Sequence, residues 1–298
     1  MTSALHATDL GKRYGRKWAL SNCTLDIPTG HVVGLVGPNG AGKTTLLHLA
    51  VGLLTPDSGT INVLGEVPAT SAEQLGHIGF VAQNTPVYEH LSIETHLAMG
   101  AALNPSWDAQ LARRRMHDLA LDPSQHAGDL SGGQRAQLAL TLAIAKRPSL
   151  LLLDEPVAAL DPLARREFLA TLMEVVADNE VSVILSSHLV ADLERVCDYL
   201  VVLAAARVQA NGEIEDLLAS HHRLVGTRRD LDSLPTSAHV VEVSHTERQT
   251  TVVVASDDPI LDPTWSVEPL TLEDLVLAYM SQAEEQRREL VRTKGGAS

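Results

Sequence analysis

The sequence of 298 residues predicts an α/β fold, in which strands and helices alternate around a buried sheet. Strand-like apolar runs alternate with helical patterns over most of the chain, and several runs are continuously apolar, as expected for strands buried on both faces. Hydrophobic residues make up 45% of the chain, enough for a large core, whereas aromatic residues make up 3%. The expected protein is therefore globular, with a mainly aliphatic core.

The first part of the chain is expected to form an antiparallel β subdomain that leads into the main sheet. Turn residues separate three apolar runs, at residues 5–10, 18–25 and 31–36. A helix is predicted from residue 43 to about residue 52, and further β-structure at residues 59–67 and 78–83. An α-helical subdomain is then expected over about residues 88–147.

Parallel-sheet character returns after the helical region. The predicted strands are residues 150–153, 181–185 and 199–203, and the predicted helices between them are residues 163–177 and 190–197. After residue 221 the pattern changes to strands at residues 240–243 and 251–254 and a helix at residues 271–280. We therefore divide the chain into a main domain (1–221), a small α+β C-terminal extension (222–281) and a charged, flexible tail (282–298).

The charge balance excludes several functional classes. The formal net charge is -14, which argues against a broad nucleic-acid-binding surface, so no nucleic-acid partner is expected. Two cysteines cannot form a disulfide scaffold and fit a reducing cytoplasm. No apolar run approaches the ~18 residues of a membrane span, and the N-terminus lacks the pattern of a secretory signal.

A phosphate-binding loop follows the third apolar run. Its sequence, GPNGAGKT, matches G-x-x-x-x-G-K-[ST], with a buried strand before it and a helix after it. The predicted nucleotide-binding residues are Gly37, Pro38, Asn39, Gly40, Ala41, Gly42, Lys43, Thr44 and Thr45. The glycines allow the backbone N–H groups to surround phosphate, Lys43 can neutralise its charge, and Thr44 can ligate Mg²⁺. The alternative, an ordinary glycine-rich turn, does not account for both flanks.

Two carboxylates end the strand that begins at Leu150, in the sequence LLLLDEP. Ligands of open α/β sheets lie at the C-terminal ends of strands. Asp154 is suited to the Mg²⁺ shell, and Glu155 to orienting water or accepting its proton. The alternative role of Glu155 is to cap the next helix.

A second glycine-rich helix start occurs at LSGGQ, about twenty residues before the acidic strand end. Ser131, Gly132, Gly133 and Gln134 form a potential second phosphate-binding surface. With this motif, residues 4 to about 220 resemble the ATP-binding subunits of ABC transporters, whose signature is LSGGQ. The resemblance implies a P-loop NTPase fold of ABC type, with ATP and Mg²⁺ as ligands.

The resemblance assigns roles to further residues. Tyr14 matches the aromatic residue that stacks on adenine, although Trp18 is a second candidate and either ring could pack a loop instead. Gln83 matches the Q-loop, which reaches Mg²⁺ or the lytic water, and residues 84–92 after it would face a membrane partner. From the residue alone, Gln83 could equally be a polar loop residue.

Two more positions match the family pattern. Asp161 matches the D-loop, which crosses the interface between subunits, and His188 matches the switch histidine that contacts the γ-phosphate. A lone histidine is more often structural, but this one follows a predicted strand. The chain departs from the pattern at Ala158, where Ser or Asn is usual, and at Leu142, where Arg is common. These departures bear on the dimer strength and the turnover rate.

The implied machine is a head-to-tail homodimer, or a heterodimer with a second ATPase subunit. The subunits would sit on the inner face of the cell membrane, bound to a separately encoded permease. The C-terminal sequence PLTLEDLVLAYM resembles the end of exporter ATPases, so the sequence favours ATP-driven export. The alternatives are an importer ATPase and a non-transport ABC ATPase acting on ribosomes or DNA.

Overall fold

The computed structural model describes residues 3–83, 87–179, 181–228, 231, 234 and 238–295. The strands are β1 (Ser3–Tyr14), β2 (Lys17–Pro28), β3 (Val32–Val36), β4 (Ser58–Val63), β5 (Ile78–Val81), β6 (Leu150–Asp154), β7 (Ser182–Ser187), β8 (Tyr199–Ala204), β9 (Arg207–Glu213), β10 (His221–Thr227), β11 (His239–His245), β12 (Gln249–Ala255) and β13 (Ser266–Pro269). The helices are α1 (Lys43–Ala50), α2 (Ala72–Gly76), α3 (Ile93–Leu103), α4 (Ala109–Asp118), α5 (Gly132–Ile144), α6 (Pro162–Asn179), α7 (Val190–Leu193), α8 (Ile214–Ser220) and α9 (Leu272–Gly295).

The central sheet confirms the predicted α/β class. Its strand order is β5-β6-β7-β3-β8-β9, in which neighbouring strands are parallel except β9, which is antiparallel to β8. Every residue of β3, β6, β7 and β8 is buried, as the continuously apolar runs predict. Since β6, β7 and β3 are adjacent and parallel, the segments that follow them lie at one edge of the sheet.

The predicted antiparallel β subdomain consists of β2, β1 and β4, in that order. Its apolar side chains, among them Leu5, Leu10 and Leu20, form one buried cluster with Leu35 of β3 and Leu46 of α1. This shared core fixes the subdomain beside the glycine-rich loop that connects β3 to α1. The end of β1, which carries Tyr14, is thereby brought to the same side of the molecule as that loop.

The helical region contains α3, α4 and α5 with a 3₁₀ turn at Ala127–Asp129. Ile93, Met116 and Leu138, one from each helix, share a separate buried cluster. This small core supports the expected helical subdomain, whose bounds of about residues 88–147 stay a prediction.

The C-terminal extension is an antiparallel sheet of order β11-β12-β10-β13, with α9 packed against β11 and β8. Val253, Leu275 and Tyr279 belong to the same buried cluster as Leu200 and Val202 of β8. One side of the extension therefore shares the core of the main domain, whereas Leu224, Val252, Val254 and Trp265 form a separate buried cluster within the extension.

A buried hydrogen-bond chain fastens this extension to the main domain. The Nδ1 atom of His221 donates to the carbonyl oxygen of Leu217 at 2.7 Å, and its Nε2 atom lies 2.8 Å from the hydroxyl of Tyr279. Burial lowers the pKa of His221, so the neutral ring can donate at Nδ1 and accept at Nε2. The link therefore joins α8, β10 and α9.

Two helices differ markedly from their predicted bounds. The helix predicted for residues 190–197 ends earlier, as α7 at Leu193. The helix predicted for residues 271–280 continues as α9 to Gly295, into the segment assigned to the tail. The flexibility of residues 282–298 stays a prediction, and residues 296–298 lie outside the described part of the chain. None of the described helices has both the length and the apolar composition needed to cross a lipid bilayer.

Candidate nucleotide-binding site

The loop between β3 and α1 requires glycine at two positions, Gly37 and Gly42. A Cβ atom on Gly37 would lie 2.0 Å from the carbonyl oxygen of Leu203, far inside van der Waals contact. Gly42 has φ +113°, and a Cβ there would lie 2.4 Å from the carbonyl oxygen of Ala19. As the N-cap of α1, Gly42 has no side chain to accept hydrogen bonds from the first N–H groups of the helix. Those donors can therefore serve an anion.

Lys43, the first residue of α1, directs its ammonium group back into this loop. The side chain is buried, and Nζ donates to the carbonyl oxygens of Gly37 at 2.8 Å and Pro38 at 3.4 Å. Nζ also lies 3.2 Å from Oε1 of Glu155. A buried cation held by neutral carbonyls and one carboxylate has charge available for a phosphate group.

Asp154 ends β6 beneath the loop and is fully buried. Its Oδ1 atom accepts a hydrogen bond from the hydroxyl of Ser186 at 2.8 Å. Its Oδ2 atom is buried with no hydrogen-bond partner among the residues that the structure describes. Since a buried carboxylate oxygen without a partner is costly, this atom fits the binding of a cation. Oxygen ligands of this kind are the ones that Mg²⁺ prefers, so the site fits the ion expected from the sequence.

Glu155 is held in an unusual backbone conformation at the end of β6. Its φ angle is +45°, and its N–H donates to the hydroxyl oxygen of Ser186 at 2.8 Å. Through its two carboxylate oxygens the side chain contacts Lys43 and, at 3.1 Å, the Nδ1 atom of His188. The structure thus brings together three side chains that are widely separated in the sequence.

Ser186 is a residue of this site that the sequence reasoning missed. Its hydroxyl connects the Asp154 side chain to the Glu155 backbone, and in the sheet it lies directly opposite Asp154 on the neighbouring strand β7. The available signal was the pair of serines that ends the strand SVILSS, with Ser186 two residues before His188. The order of the strands was needed to identify the partner.

An open cleft of about 450 Å³ adjoins the loop. Its lining consists of Tyr14, Lys17, Ala19, Asn39, Gly40, Gly42, Lys43, Thr44, Thr45, Gln83 and Glu155. Tyr14 is 54% exposed, and Trp18, although 41% exposed, is not among the described residues that line the cleft. The ring of Trp18 instead faces the guanidinium of Arg13 at 5.7 Å. This geometry favours Tyr14 over Trp18 as the stacking surface for a base.

Replacement of Tyr14 by Ala is expected to weaken ATP binding by about tenfold, because base–aromatic stacking contributes ~1–3 kcal/mol. Trp18→Ala is the matched control and should change the dissociation constant by less than about twofold, since it removes an exposed ring outside the cleft. Equilibrium titration with a fluorescent ATP analogue measures both values. Equal losses in the two variants would contradict the assignment of Tyr14.

The second glycine-rich segment lies at the start of α5. The Oγ atom of Ser131 accepts from the N–H of Gln134 at 3.2 Å, and the side-chain oxygen of Gln134 accepts from the N–H of Ser131 at 2.9 Å. A Cβ on Gly133 would lie 3.0 Å from that of Ala164, so this helix start packs against α6. Asp161 caps α6, accepting hydrogen bonds from the N–H groups of residues 163 and 164 at 3.0 and 3.1 Å.

Neither Ser131 nor Asp161 is among the described residues that line the cleft. A single chain therefore supplies the phosphate loop, Tyr14, Gln83 and Glu155 to one cleft and presents the signature segment elsewhere. That separation is the arrangement expected if a second chain completes the site, and the dimer itself stays a prediction. Residues 84–86, part of the segment assigned to the membrane partner, lie outside the described residues.

Comparison with known proteins agrees with the fold and the motifs. The family model described as ABC transporter matches residues 20–158. The sulfate/thiosulfate import ATP-binding protein CysA of Mycobacterium tuberculosis is 35% identical over 222 residues, which cover 73% of this chain and 63% of that protein. A solved structure, an ATP-binding subunit of an ABC transporter, is 29% identical with a TM-score of 0.65, covering 73% of this chain and 92% of its own.

The curated relatives do not support the exporter type expected from the C-terminal sequence. CysA and the thiamine import ATP-binding protein ThiQ of Salmonella choleraesuis are both import proteins. The chain spans about 63% of the length of CysA, so only this part of that protein is compared. It covers 91% of ThiQ at 32% identity over 215 residues, which are 69% of this chain. Because of this similarity, and because Glu155 and the phosphate loop line one cleft, we conclude that the chain belongs to the ABC transporter family of ATP-binding proteins.

Proposed function

We propose that this chain is the ATP-hydrolysing subunit of an ABC importer. The observation that carries the proposal is the cluster of Lys43, Glu155 and His188 beside a phosphate loop, which combines a charge-neutralising group with a group able to orient water. The direction of transport is proposed from the relatives named as import proteins. This replaces the export suggested by the C-terminal sequence.

In the proposed reaction, the chain's own residues bind and orient ATP. The N–H groups at the start of α1 and the ammonium of Lys43 would contact the phosphates, and Tyr14 would stack on the base. Asp154, Thr44 and Gln83 would hold Mg²⁺, which when bound supplies positive charge to the phosphoryl oxygens. Glu155, fixed by Ser186 and His188, would orient the attacking water, and His188 would contact the terminal phosphate.

Two such subunits would close head to tail, so that Ser131 to Gln134 of one chain cover the phosphate loop of the other. The partner could be a second copy or a related ATPase subunit. Hydrolysis would remove the phosphate that both chains contact, and the pair would reopen. The D-loop residue Asp161 would then lie at the interface between the two chains.

The permease is proposed to dock on a mainly apolar groove of about 530 Å³ beside β5. The groove is lined by Leu75, Phe80, Ala82, Leu142 and Lys146, among others. It adjoins the strand that leads to Gln83, so a bound permease segment would contact the Q-loop. Leu142, where the family often has Arg, adds apolar surface here and would favour an apolar face of the permease. Binding there would hold the protein on the inner face of the cell membrane.

Reconstitution into vesicles with the permease that co-purifies with this chain is the test of the proposal. We expect ATP hydrolysis to rise when the vesicles also contain a substrate-loaded solute-binding protein, because importers couple hydrolysis to delivery of substrate. Leu75→Asp places a charge in the groove and should abolish this stimulation without altering the basal rate. Leu103→Asp, at a side chain that is 73% exposed outside the groove, is the control.

Two results would contradict the proposal. Stimulation by substrate supplied from the ATP side, with no binding protein, would indicate export. A chain that binds no ATP, or hydrolyses none under any of these conditions, would exclude an ATPase.

A further inference from the structure

A partly buried ion pair joins two segments of the proposed site. Nη1 of Arg165, on α6, lies 3.6 Å from Oδ2 of Asp192, on α7. The two side chains are 24% and 12% exposed, and both lie away from the cleft. Neither residue was assigned a role from the sequence.

Each residue of the pair lies one turn from a residue of the proposed machinery. The N–H of Arg165 donates to the carbonyl oxygen of Asp161 at 2.9 Å, so Arg165 belongs to the first turn that Asp161 caps. Asp192 lies four residues after His188, and its N–H donates to the carbonyl oxygen of Leu189 at 3.3 Å. The pair therefore connects the D-loop segment to the switch-histidine segment.

The position of His188 depends on where α7 lies. This helix has four residues, too few to be stable by itself, and tertiary contacts must hold it. Leu193 is fully buried and anchors one side of α7, and α9 packs against the helix as well. Asp192 supplies the charged contact, to α6. Because only Leu189 separates His188 from α7, a rotation of α7 would move the imidazole relative to Glu155.

The pair is incompletely engaged in this structure. Nε of Arg165 and Oδ2 of Asp192 are both buried without a hydrogen-bond partner among the described residues. Charged groups in that condition favour closer approach, since a charge-assisted hydrogen bond has a length of about 2.8 Å. A closer approach of α6 to α7 is therefore favoured electrostatically. The same approach would bring the Asp161 segment closer to the His188 segment.

We propose that Arg165 and Asp192 are positioning residues for ATP hydrolysis. Through them, the position of the D-loop residue Asp161 determines the position of the His188 imidazole. The inference rests on the proposed function. In a head-to-tail pair of subunits Asp161 lies at the interface. Tightening of this ion pair when the second chain docks would therefore restrict the movement of His188, which already lies 3.1 Å from Glu155 in the single chain. ATP binding to the open cleft would not require the pair.

The test compares Asp192→Asn with wild type in steady-state hydrolysis, equilibrium ATP binding and thermal unfolding. We expect kcat to fall by about tenfold, within the range for residues that act through a network, while KM and the dissociation constant change by less than about twofold. Asp192→Glu should retain most of the rate, because it restores the charge. Arg166→Ala, at the exposed neighbour of Arg165, is the control and should leave the rate unchanged.

A double-mutant cycle distinguishes positioning from general destabilisation. Arg165→Ala and Asp192→Asn should each lower kcat, and the double variant should lose no more than the more impaired single variant. Multiplicative losses, an unchanged kcat in Asp192→Asn, or a fall in kcat that matches the loss of folded protein on heating would overturn the inference. If the wild-type protein does not hydrolyse ATP, the proposed function is wrong. If the wild-type protein hydrolyses ATP and the variants do so at the same rate, only this inference is wrong.

Discussion

Replacement of Glu155 by Gln is expected to leave ATP binding no weaker than in wild type and to lower kcat by at least about a hundredfold, the usual contribution of a positioned general base or water-orienting group. The amide keeps the shape of the side chain and can still contact His188, which lies 3.1 Å from the carboxylate. It cannot accept a proton from water. Steady-state hydrolysis and equilibrium ATP binding, measured on the same preparation, check the two parts of the expectation.

The same substitution should also tighten ATP binding. In the structure the negative charge of Glu155 lies 3.2 Å from Nζ of Lys43, so a triphosphate must share that ammonium with a carboxylate. Neutralising the carboxylate releases Lys43 for the phosphates, and size-exclusion chromatography with ATP should show an accumulated dimer. Glu167→Gln, an exposed carboxylate on α6, is the control. Normal turnover in Glu155→Gln would remove Glu155 from the mechanism.

Replacement of Ser131 by Arg is expected to abolish hydrolysis while leaving ATP bound to the phosphate loop of the same chain. Ser131 lies outside the cleft that contains Lys43, so a change there should not disturb that loop. In a head-to-tail dimer the large cation would occupy the space of the terminal phosphate and prevent closure. Hydrolysis and equilibrium ATP binding are the measurements.

Loss of the helix cap must be separated from loss of the dimer contact. Ser131→Arg also removes the hydrogen bond from the Gln134 N–H, which costs ~1 kcal/mol of stability. Ser131→Asn keeps a capping acceptor and should restore the thermal stability. Any hydrolysis that survives in Ser131→Arg at the wild-type rate would mean that this segment does not contact nucleotide.

Mixing two inactive variants tests the shared site directly. Lys43→Ala lacks the phosphate-binding cation, and Ser131→Arg lacks the covering segment. A mixed head-to-tail dimer would contain one intact site, formed by Lys43 of one chain and Ser131 of the other. ATP should therefore produce dimers from the mixture but not from either variant alone, whereas an absence of mixed dimers would argue against the head-to-tail arrangement.

Strand predictions succeeded where burial leaves a clear sequence pattern. The runs that became β3, β6 and β8 are apolar on both faces, and the run that became β7 departs from this pattern only at Ser182. The pattern did not predict β9, whose sequence RVQANGE is polar and partly exposed, or β13, which is exposed throughout. Pairing with β8 and β10 makes these segments strands, and pairing is a tertiary property.

The candidate site divides in the same way. The sequence by itself predicted the phosphate loop and the carboxylates at the end of β6, because each belongs to a contiguous motif that directly follows an apolar run. Only the tertiary structure favours Tyr14 over Trp18, since Tyr14 lines the cleft, and only it identified Ser186 and joined Arg165 to Asp192. Those contacts connect residues that are distant in the chain. The sheet order and the packing of the helices bring such residues together, and neither can be predicted from the local sequence.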